Sequence, residues 1–354
     1  MKARKPEKNI EIKELAVNAL LFSSVGTLVW MIFPIWGINA VVFFLCISAV
    51  IFALFFLVPL LTKNTPVIIR ITARIITILL TVLILAYVLF TVLAAYAIFH
   101  PHKNELADEM LENGITEEIK TQRISFKGSQ GNISGWMIDG ENDDAPLVLY
   151  FGGNAEVSSD KIIEMVTYGG VYGGVYYDYF HGCDFIMLDM PGYGHTDGYP
   201  TEESLKSFGL DTYDYVTKKY KPEKLIIMGY SIGTGTAHYV ASERHTDGTI
   251  FLAPYADGID INNSRLNIFY GPLRGIVAFR MYAIHFAEKI DSRPLIYASK
   301  SDEIIPYSSS EKFRNVYPKG CDFHSIKNLS HTQFFESKEV LQGISDYIER
   351  VIME

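Results

Sequence analysis

The stretch that most constrains this chain is LIIMGYSIGTGTA, Leu225 to Ala237. Its apolar start, Leu225 to Met228, reads as a strand, and Gly229-Tyr230-Ser231-Ile232-Gly233 then leads at once into a helix of small residues. A strand that turns directly into a helix needs a tip residue in a strained conformation, and glycines two places to either side let the two elements approach. Ser231 is that tip. The turn lifts its hydroxyl off the sheet, towards the helix N-terminus where backbone N–H groups and a partial positive charge collect. A serine presented in this way is a candidate nucleophile. The five-residue pattern alone is common enough to arise by chance, so its surroundings have to carry the reading.

Those surroundings are of two kinds. The first 99 residues hold eight Lys/Arg and three Glu, a net of +5, so the −9 of the whole chain leaves −14 on residues 100–354. Residues 17–36, 38–61 and about 75–99 are uncharged apolar runs, each of the roughly 20 residues needed to cross a hydrocarbon core. A signal peptide does not explain the first run, which is too long and is followed almost immediately by another. The expectation is a tail with three transmembrane helices over residues 1–103 and a globular domain over 104–354. The eight cations lie in the tail and in the Lys63–Arg74 connector, and the turn around Pro34–Asn39 has none. Positive-inside bias then puts the tail and the connector in the cytoplasm and the globular domain on the other side. This predicts a multi-pass integral membrane protein, of the plasma membrane, with the lipid bilayer as its partner. Thr65-Pro66 resembles a helix start, with Arg70 and Arg74 one turn apart as topology signals or anionic-lipid contacts. The acidic remainder argues against nucleic acid.

Beyond the membrane segment the pattern alternates. Ile119–Gly128 and Gly131–Gly140 read as a hairpin. Gly140–Ala145 (GENDDA) reads as a solvated turn, since it lacks the alternating spacing of a cation loop. Pro146–Phe151, Phe185–Met190, Leu225–Tyr230, Gly248–Pro254, Pro294–Glu303 and Asp322–Leu329 are further strands. Thr201–Tyr220 reads as a helix burying Leu205 and Phe208; Lys338–Met353 closes the chain as a helix with Val340, Leu341, Ile344, Tyr347, Ile348 and Val351 at helical spacing. Repeated strand and helix imply a parallel sheet with helices on both faces, whose reactive groups gather at the carboxyl ends of the strands. Gly152–Asn154, Pro191–Gly194, Ser231, Asp302 and His331 each sit just past an apolar run.

The order Ser231, Asp302, His331 resembles that of the α/β-hydrolases. With YFGGNAE, DMPGYGHTDGYP, GYSIGTG, SKSDEIIP and NLSHTQFF, residues 119–352 look like the membrane-anchored serine hydrolases that include the Bem46-like proteins and the lysophospholipid and depalmitoylating hydrolases. The resemblance implies an α/β-hydrolase fold, a mostly parallel eight-stranded sheet with helices on both faces, here preceded by an all-α transmembrane segment of three helices. Two departures stand out. Family members usually carry His-Gly where this chain has Gly152-Gly153, and they commonly have one anchor.

The chemistry so implied is acyl transfer to Ser231, with His331 as the general base and Asp302 holding the imidazole. Backbone N–H groups of Ile232 and Asn154 would form the oxyanion hole. Glu303 and Asp257 are rival acids, Glu303 being expected to point away. Among nine histidines, His331 alone follows the last strand; His324 lies in it, His238, His245 and His285 fall on helices or their ends, and His100 and His102 read as interfacial residues. Residues 257–292 are the expected lid, either capping an acyl pocket, resting on a membrane, or simply packed over the sheet. The tract Tyr168–Phe180 (YGGVYGGVYYDYF) joins a helix to a strand and is expected at the opposite rim. Cys46 reads as a packing residue, and Cys183 and Cys321 precede strands too far apart to be bridged. The implied function is a membrane-anchored serine hydrolase of an ester or thioester on a small acylated substrate, with no metal and no cofactor required. A serine peptidase of prolyl-peptidase type and a catalytically inactive membrane scaffold are the alternatives.

Overall fold

The computed structural model describes residues 61–62, 64–114, 119–140, 142, 145–167, 176–277 and 279–354. The expected spans 17–36 and 38–61 lie outside the described residues, save for Leu61, and so does Cys46. The chain forms two compact units, Met1–Tyr96 and Ala97–Glu354.

In the first unit helix α1 begins at Val67 and runs on to Ile98, 32 residues in all. Its start matches the sequence signal: the Thr65 hydroxyl and N–H both return to the Thr62 carbonyl, and Arg70 N–H closes the first turn on Pro66. The apolar helix thus starts ahead of the expected position 75 and takes in Arg70 and Arg74. Val67, Ile68, Ile69 and Ile71 are all exposed, as are Leu79, Leu80, Val82 and Leu83, while Thr77 and Thr81, one turn apart, are buried, so apolar side chains are exposed on every side of the helix but that of the two threonines. Among the described residues one helix, over Val67–Ala86, is long and apolar enough to cross a membrane.

The second unit opens with helix α2 (Glu105–Glu112), capped by the Asn104 side chain. An antiparallel hairpin follows, β1 (Lys120–Gly128) and β2 (Gly131–Asp139). Then come β3 (Leu147–Phe151), α3 (Ser158–Thr167), β4 (Phe185–Leu188), α4 (Glu202–Tyr220), β5 (Leu225–Tyr230), α5 (Gly233–Glu243) and β6 (Gly248–Leu252). The chain continues through α6 (Gly258–Arg265), α7 (Ala283–Ala287), β7 (Leu295–Ser299), α8 (Tyr307–Glu311), β8 (Asp322–Ile326) and α9 (Lys338–Met353). The strands form one eight-stranded sheet in the order β1-β2-β4-β3-β5-β6-β7-β8, with β2 antiparallel to both of its neighbours and all later pairs parallel.

The parallel strands β3 to β7 are buried at every residue, which is why they read as unbroken apolar runs. At the edge, β8 is half exposed. Helices cover both faces. A Cβ at Gly229 would meet Ala237 and Thr234 of α5, whereas Gly248, paired with Ile226, faces Tyr347 and Val351 of α9. Positions 226 and 229 differ by an odd number, so α5 and α9 lie on opposite sides of the sheet. The expected α9 stripe, Val340, Leu341, Ile344, Tyr347, Ile348 and Val351, is buried throughout. Helix α4 begins at a capping box between Thr201 and Ser204 and stops at Lys221 in the left-handed region. Cys183 and Cys321 are free.

The described end of the Tyr168–Phe180 tract stays at the start of β4, where Cys183 N–H returns to Phe180 O and the Tyr177 hydroxyl donates to Cys183 O, but one of its rings reaches further than expected. Tyr176–Phe180 forms a 3-10 turn, and the Tyr176 ring stacks on Phe335, 5.7 Å between centroids. Phe335 belongs to the segment that carries His331, so this ring is buried towards that segment. Residues 168–175 lie outside the described residues.

Just past β4, the buried Asp189 accepts the Ser158 N–H at 2.6 Å, at the start of α3. Gly194, at φ 49°, leaves room for that carboxyl: a Cβ there would sit 2.0 Å from its Oδ2. Burial pushes the Asp189 carboxyl up from 3.8 to about 6, against the opposing Ser158 hydrogen bond. The folded chain therefore binds this proton more tightly than the unfolded chain, a stabilisation fully present below the ordinary value and lost as pH rises through the folded one. Asp189→Asn, neutral throughout, should raise the melting temperature over wild type at about pH 7.5 and lose that advantage at about pH 4.5. Thermal melts of the solubilised protein check this; a difference indifferent to pH would contradict it.

Candidate active site

The strand-to-helix turn at Ser231 is as tight as its glycines require. Ser231 has φ 51°, a left-handed conformation that costs a residue with a Cβ. It is held there: Ser231 N–H donates to Leu252 O on β6 at 2.9 Å, and its carbonyl accepts both the N–H and the hydroxyl of Thr234. A Cβ at Gly233 would lie 2.2 Å from Phe151 O and 2.3 Å from Gly152 O, so α5 starts in contact with the end of β3.

Around this tip three distant side chains meet. Ser231 Oγ lies 2.8 Å from His331 Nε2, and His331 Nδ1 lies 2.8 Å and 3.0 Å from the two oxygens of Asp302. A carboxylate can only accept, so Nδ1 donates to it and Nε2 is left to accept the serine O–H. Asp302 is oriented in turn by the N–H groups of Ile304 and Ile305, both on Oδ1. The His331 ring stacks on Tyr230, whose hydroxyl donates to the His331 carbonyl at 2.5 Å. The exposed fractions are 4% for Ser231, 8% for His331 and 2% for the Asp302 side chain, a water-poor setting that strengthens each of these bonds.

The rival residues have other partners. Glu303 does not point away; its carboxylate turns back to accept the His331 backbone N–H at 3.1 Å. A carboxylate one residue from Asp302 is thereby used to fix the backbone beneath the imidazole. Asp257 caps α6 through the Ile259 N–H and lies 3.4 Å from Arg274. His238 is buried in α5 between Phe251 and Phe313 and bonded to Thr234 O and the Tyr317 hydroxyl, and burial pushes it down to about 3. It is a neutral core residue.

The two backbone N–H groups expected to face an oxyanion, those of Ile232 and Asn154, have no protein acceptor among the described residues. The Asn154 side chain is fully engaged. Its Oδ1 accepts from the Tyr193 hydroxyl at 2.7 Å and from His100 N–H at 3.1 Å, and its Nδ2 donates to Ile98 O at 2.6 Å. His100 is thus tied to the rim of the site. That tie was invisible in the sequence, where only the apolar run beside His100 could be read.

Residues 257–292 lie between β6 and β7. Inward, Phe279 and Met281 are buried, and Phe279 packs edge-on against Phe99 at 5.1 Å. Outward, Leu266, Ile268, Tyr270 and Leu273 are exposed. Glu202 fastens the segment to α4 by accepting the Met281 N–H. Elsewhere Glu105, Asp108 and His195 bring one possible metal-ligand atom each within 4.8 Å of one another. Asp108 is already used there, accepting from the Trp136 indole at 2.7 Å and lying 3.1 Å from His195.

Comparison with known proteins agrees with this architecture. Residues 146–278 match a family model for the alpha/beta hydrolase fold. The chain is 23% identical over 268 residues to the lysophosphatidylserine lipase ABHD12 of Bos taurus, covering 68% of this chain and 65% of that one. It therefore spans just under two thirds of that relative's length. An alpha-beta hydrolase from Vibrio vulnificus superposes with a TM-score of 0.55 at 18% identity over 71% of this chain and 87% of its own. The Pyrococcus furiosus esterase Pf2001 does so with 0.53 at 13% identity over 72% and 99%. The chain has the α/β-hydrolase fold.

The close approach at Gly233 is open to test. Gly233→Ala should destabilise the protein by about 3 kcal/mol, the upper part of the usual range for overpacking. Denaturant unfolding checks this, and a variant as stable as wild type would contradict the contact with β3.

Proposed function

We propose that the chain is a membrane-anchored serine hydrolase that cleaves an acyl ester or thioester through Ser231, His331 and Asp302. The observation that carries this reading is the unbroken run of hydrogen bonds from Asp302 through His331 to a serine held at positive φ on a strand-to-helix turn. Ser231 Oγ attacks the acyl carbon while its proton passes to His331 Nε2, and Asp302 stabilises the imidazolium so formed. The charge that develops on the carbonyl oxygen is met by the Ile232 and Asn154 N–H groups. Collapse of the tetrahedral intermediate breaks the bond to the leaving oxygen or sulfur, which takes the proton from His331. Water, activated by the same imidazole, then releases the acid from Ser231. Every group this needs belongs to the chain itself.

An acyl chain as the substrate's greasy part is supported by the exposed apolar rim of residues 266–273, by the apolar helix at Val67–Ala86, and by the lipase activity in the relative's name. The Lys/Arg distribution supports an integral membrane protein with a cytoplasmic tail and its hydrolase unit on the opposite side.

A fluorophosphonate probe should label the purified full-length protein on one serine, and Ser231→Ala and His331→Ala should abolish both labelling and ester hydrolysis. Asp302→Asn, which alters the tautomer and leaves the shape, should lower kcat by about 10⁴-fold. Undiminished labelling of the Ser231 variant would overturn the assignment. For topology, alkaline phosphatase fused after Glu354 in a bacterial host should be active; an inactive enzyme there, with a fluorescent cytoplasmic reporter in its place, would reverse the orientation.

A further inference from the structure

The loop that leaves β3 carries an ion pair, its lysine buried and its glutamate half-buried, that the chemistry above does not use. Glu156 Oε2 accepts the Gly153 N–H at 2.5 Å and the Tyr150 hydroxyl at 2.8 Å, and its Oε1 lies 2.8 Å from Lys161 Nζ. The Lys161 side chain is only 4% exposed; its ammonium also meets Glu164 at 2.8 Å and sits 4.2 Å over the Phe335 ring. Glu156 N–H returns to the Gly153 carbonyl at 3.3 Å. Both backbone groups of Gly153 are therefore bound by one residue, and the next N–H along, that of Asn154, is left without an acceptor.

Stability is a poor reason for such a pair, since taking the lysine charge out of water costs about as much as the attraction returns. Its placement gives a better one. A Cβ at Gly152 would lie 2.5 Å from Met187 Cε and 3.0 Å from Glu156 Oε2. The carboxylate thus lies against the space that a larger residue at 152 would enter, so Gly152 and this position of Glu156 belong together.

We propose that Glu156, held by Lys161, is a positioning residue for the oxyanion loop, fixing the Gly153–Asn154 peptide so that the Asn154 N–H faces the reacting carbonyl. This rests on the serine-hydrolase reading above. A donor displaced from the oxyanion raises the transition state and leaves ground-state binding almost unchanged, so the loss falls on kcat. Lys161 keeps the carboxylate from rotating away, and through Phe335 the same ammonium borders the segment that carries His331.

The test is steady-state hydrolysis of a short-chain p-nitrophenyl ester by the full-length protein, with kcat expressed per site titrated by a fluorophosphonate. Glu156→Gln sets an amide against the Lys161 ammonium, which keeps only Glu164 as its partner, and kcat per titrated site should fall by about tenfold to a hundredfold with KM little changed, less than the loss of a whole oxyanion donor. Glu156→Asp keeps the charge but is one methylene too short to reach the Gly153 N–H; it should show the same loss and guards against a Gln variant that does not fold. Glu156→Gln with Lys161→Met should recover most of the rate, because the amide oxygen can still hold Gly153, no ammonium faces the amide, and the Glu164 carboxylate left behind is 40% exposed to water. If both Glu156 variants lose titratable protein and keep kcat per site, the pair is merely structural and the proposal is overturned. A wild type that turns over nothing, with Ser231→Ala no different, would instead overturn the serine-hydrolase reading and this proposal with it.

Discussion

Everything at the site depends on how closely α5 lies against the ends of β3 and β5. A side chain at Gly229 would meet α5, and one at Gly233 would meet two carbonyl oxygens of β3. That contact forces the connection into a single residue, and the residue pays in backbone strain, at φ 51°. Ser231 is kept there because its N–H finds Leu252 and its carbonyl finds Thr234. The same contact brings the loop after β3 beside the serine and directs the first N–H groups of α5 at it. The strained serine and the N–H groups beside it thus follow from one packing constraint between a helix and a sheet.

The remaining groups are delivered by the sheet's topology. Asp302 follows β7 and His331 follows β8, on strands several places from β5, yet parallel strands end on the same rim. Carboxylates next to the reacting groups then do supporting work: Glu303 holds the His331 backbone and Glu156 holds the Gly153 backbone. In each case an acidic side chain fixes a main-chain N–H, which orients a loop without placing a second acid at the serine.

Much of this was legible in the sequence, for physical reasons. Strands buried on both faces are unbroken apolar runs, so β3 to β7 could be read directly, and α9 showed its buried stripe at helical spacing. The order of Ser231, Asp302 and His331, each just past such a run, already implies a shared rim. What could not be read was where loop side chains turn. Glu303 was expected to point outwards, and only the return of the chain at His331 gives it a donor. The partners of Glu156 and of the Asn154 side chain lie in other loops or later turns, and sequence spacing carries no record of them. The reach of the Tyr176 ring was hidden for the same reason, since its stacking on Phe335 is a contact across 159 positions of sequence. Helix α1 began early because Thr65-Pro66 sets the start, whatever the charge of Arg70 and Arg74.

The central claim is that Ser231 carries the acyl group during turnover. The most direct measurement is acid quenching of the protein while it hydrolyses a p-nitrophenyl ester, followed by peptide mapping by mass spectrometry. The account predicts one acyl group per chain, on Ser231. An acyl group found on another residue, or steady product formation with none on the protein, would contradict it.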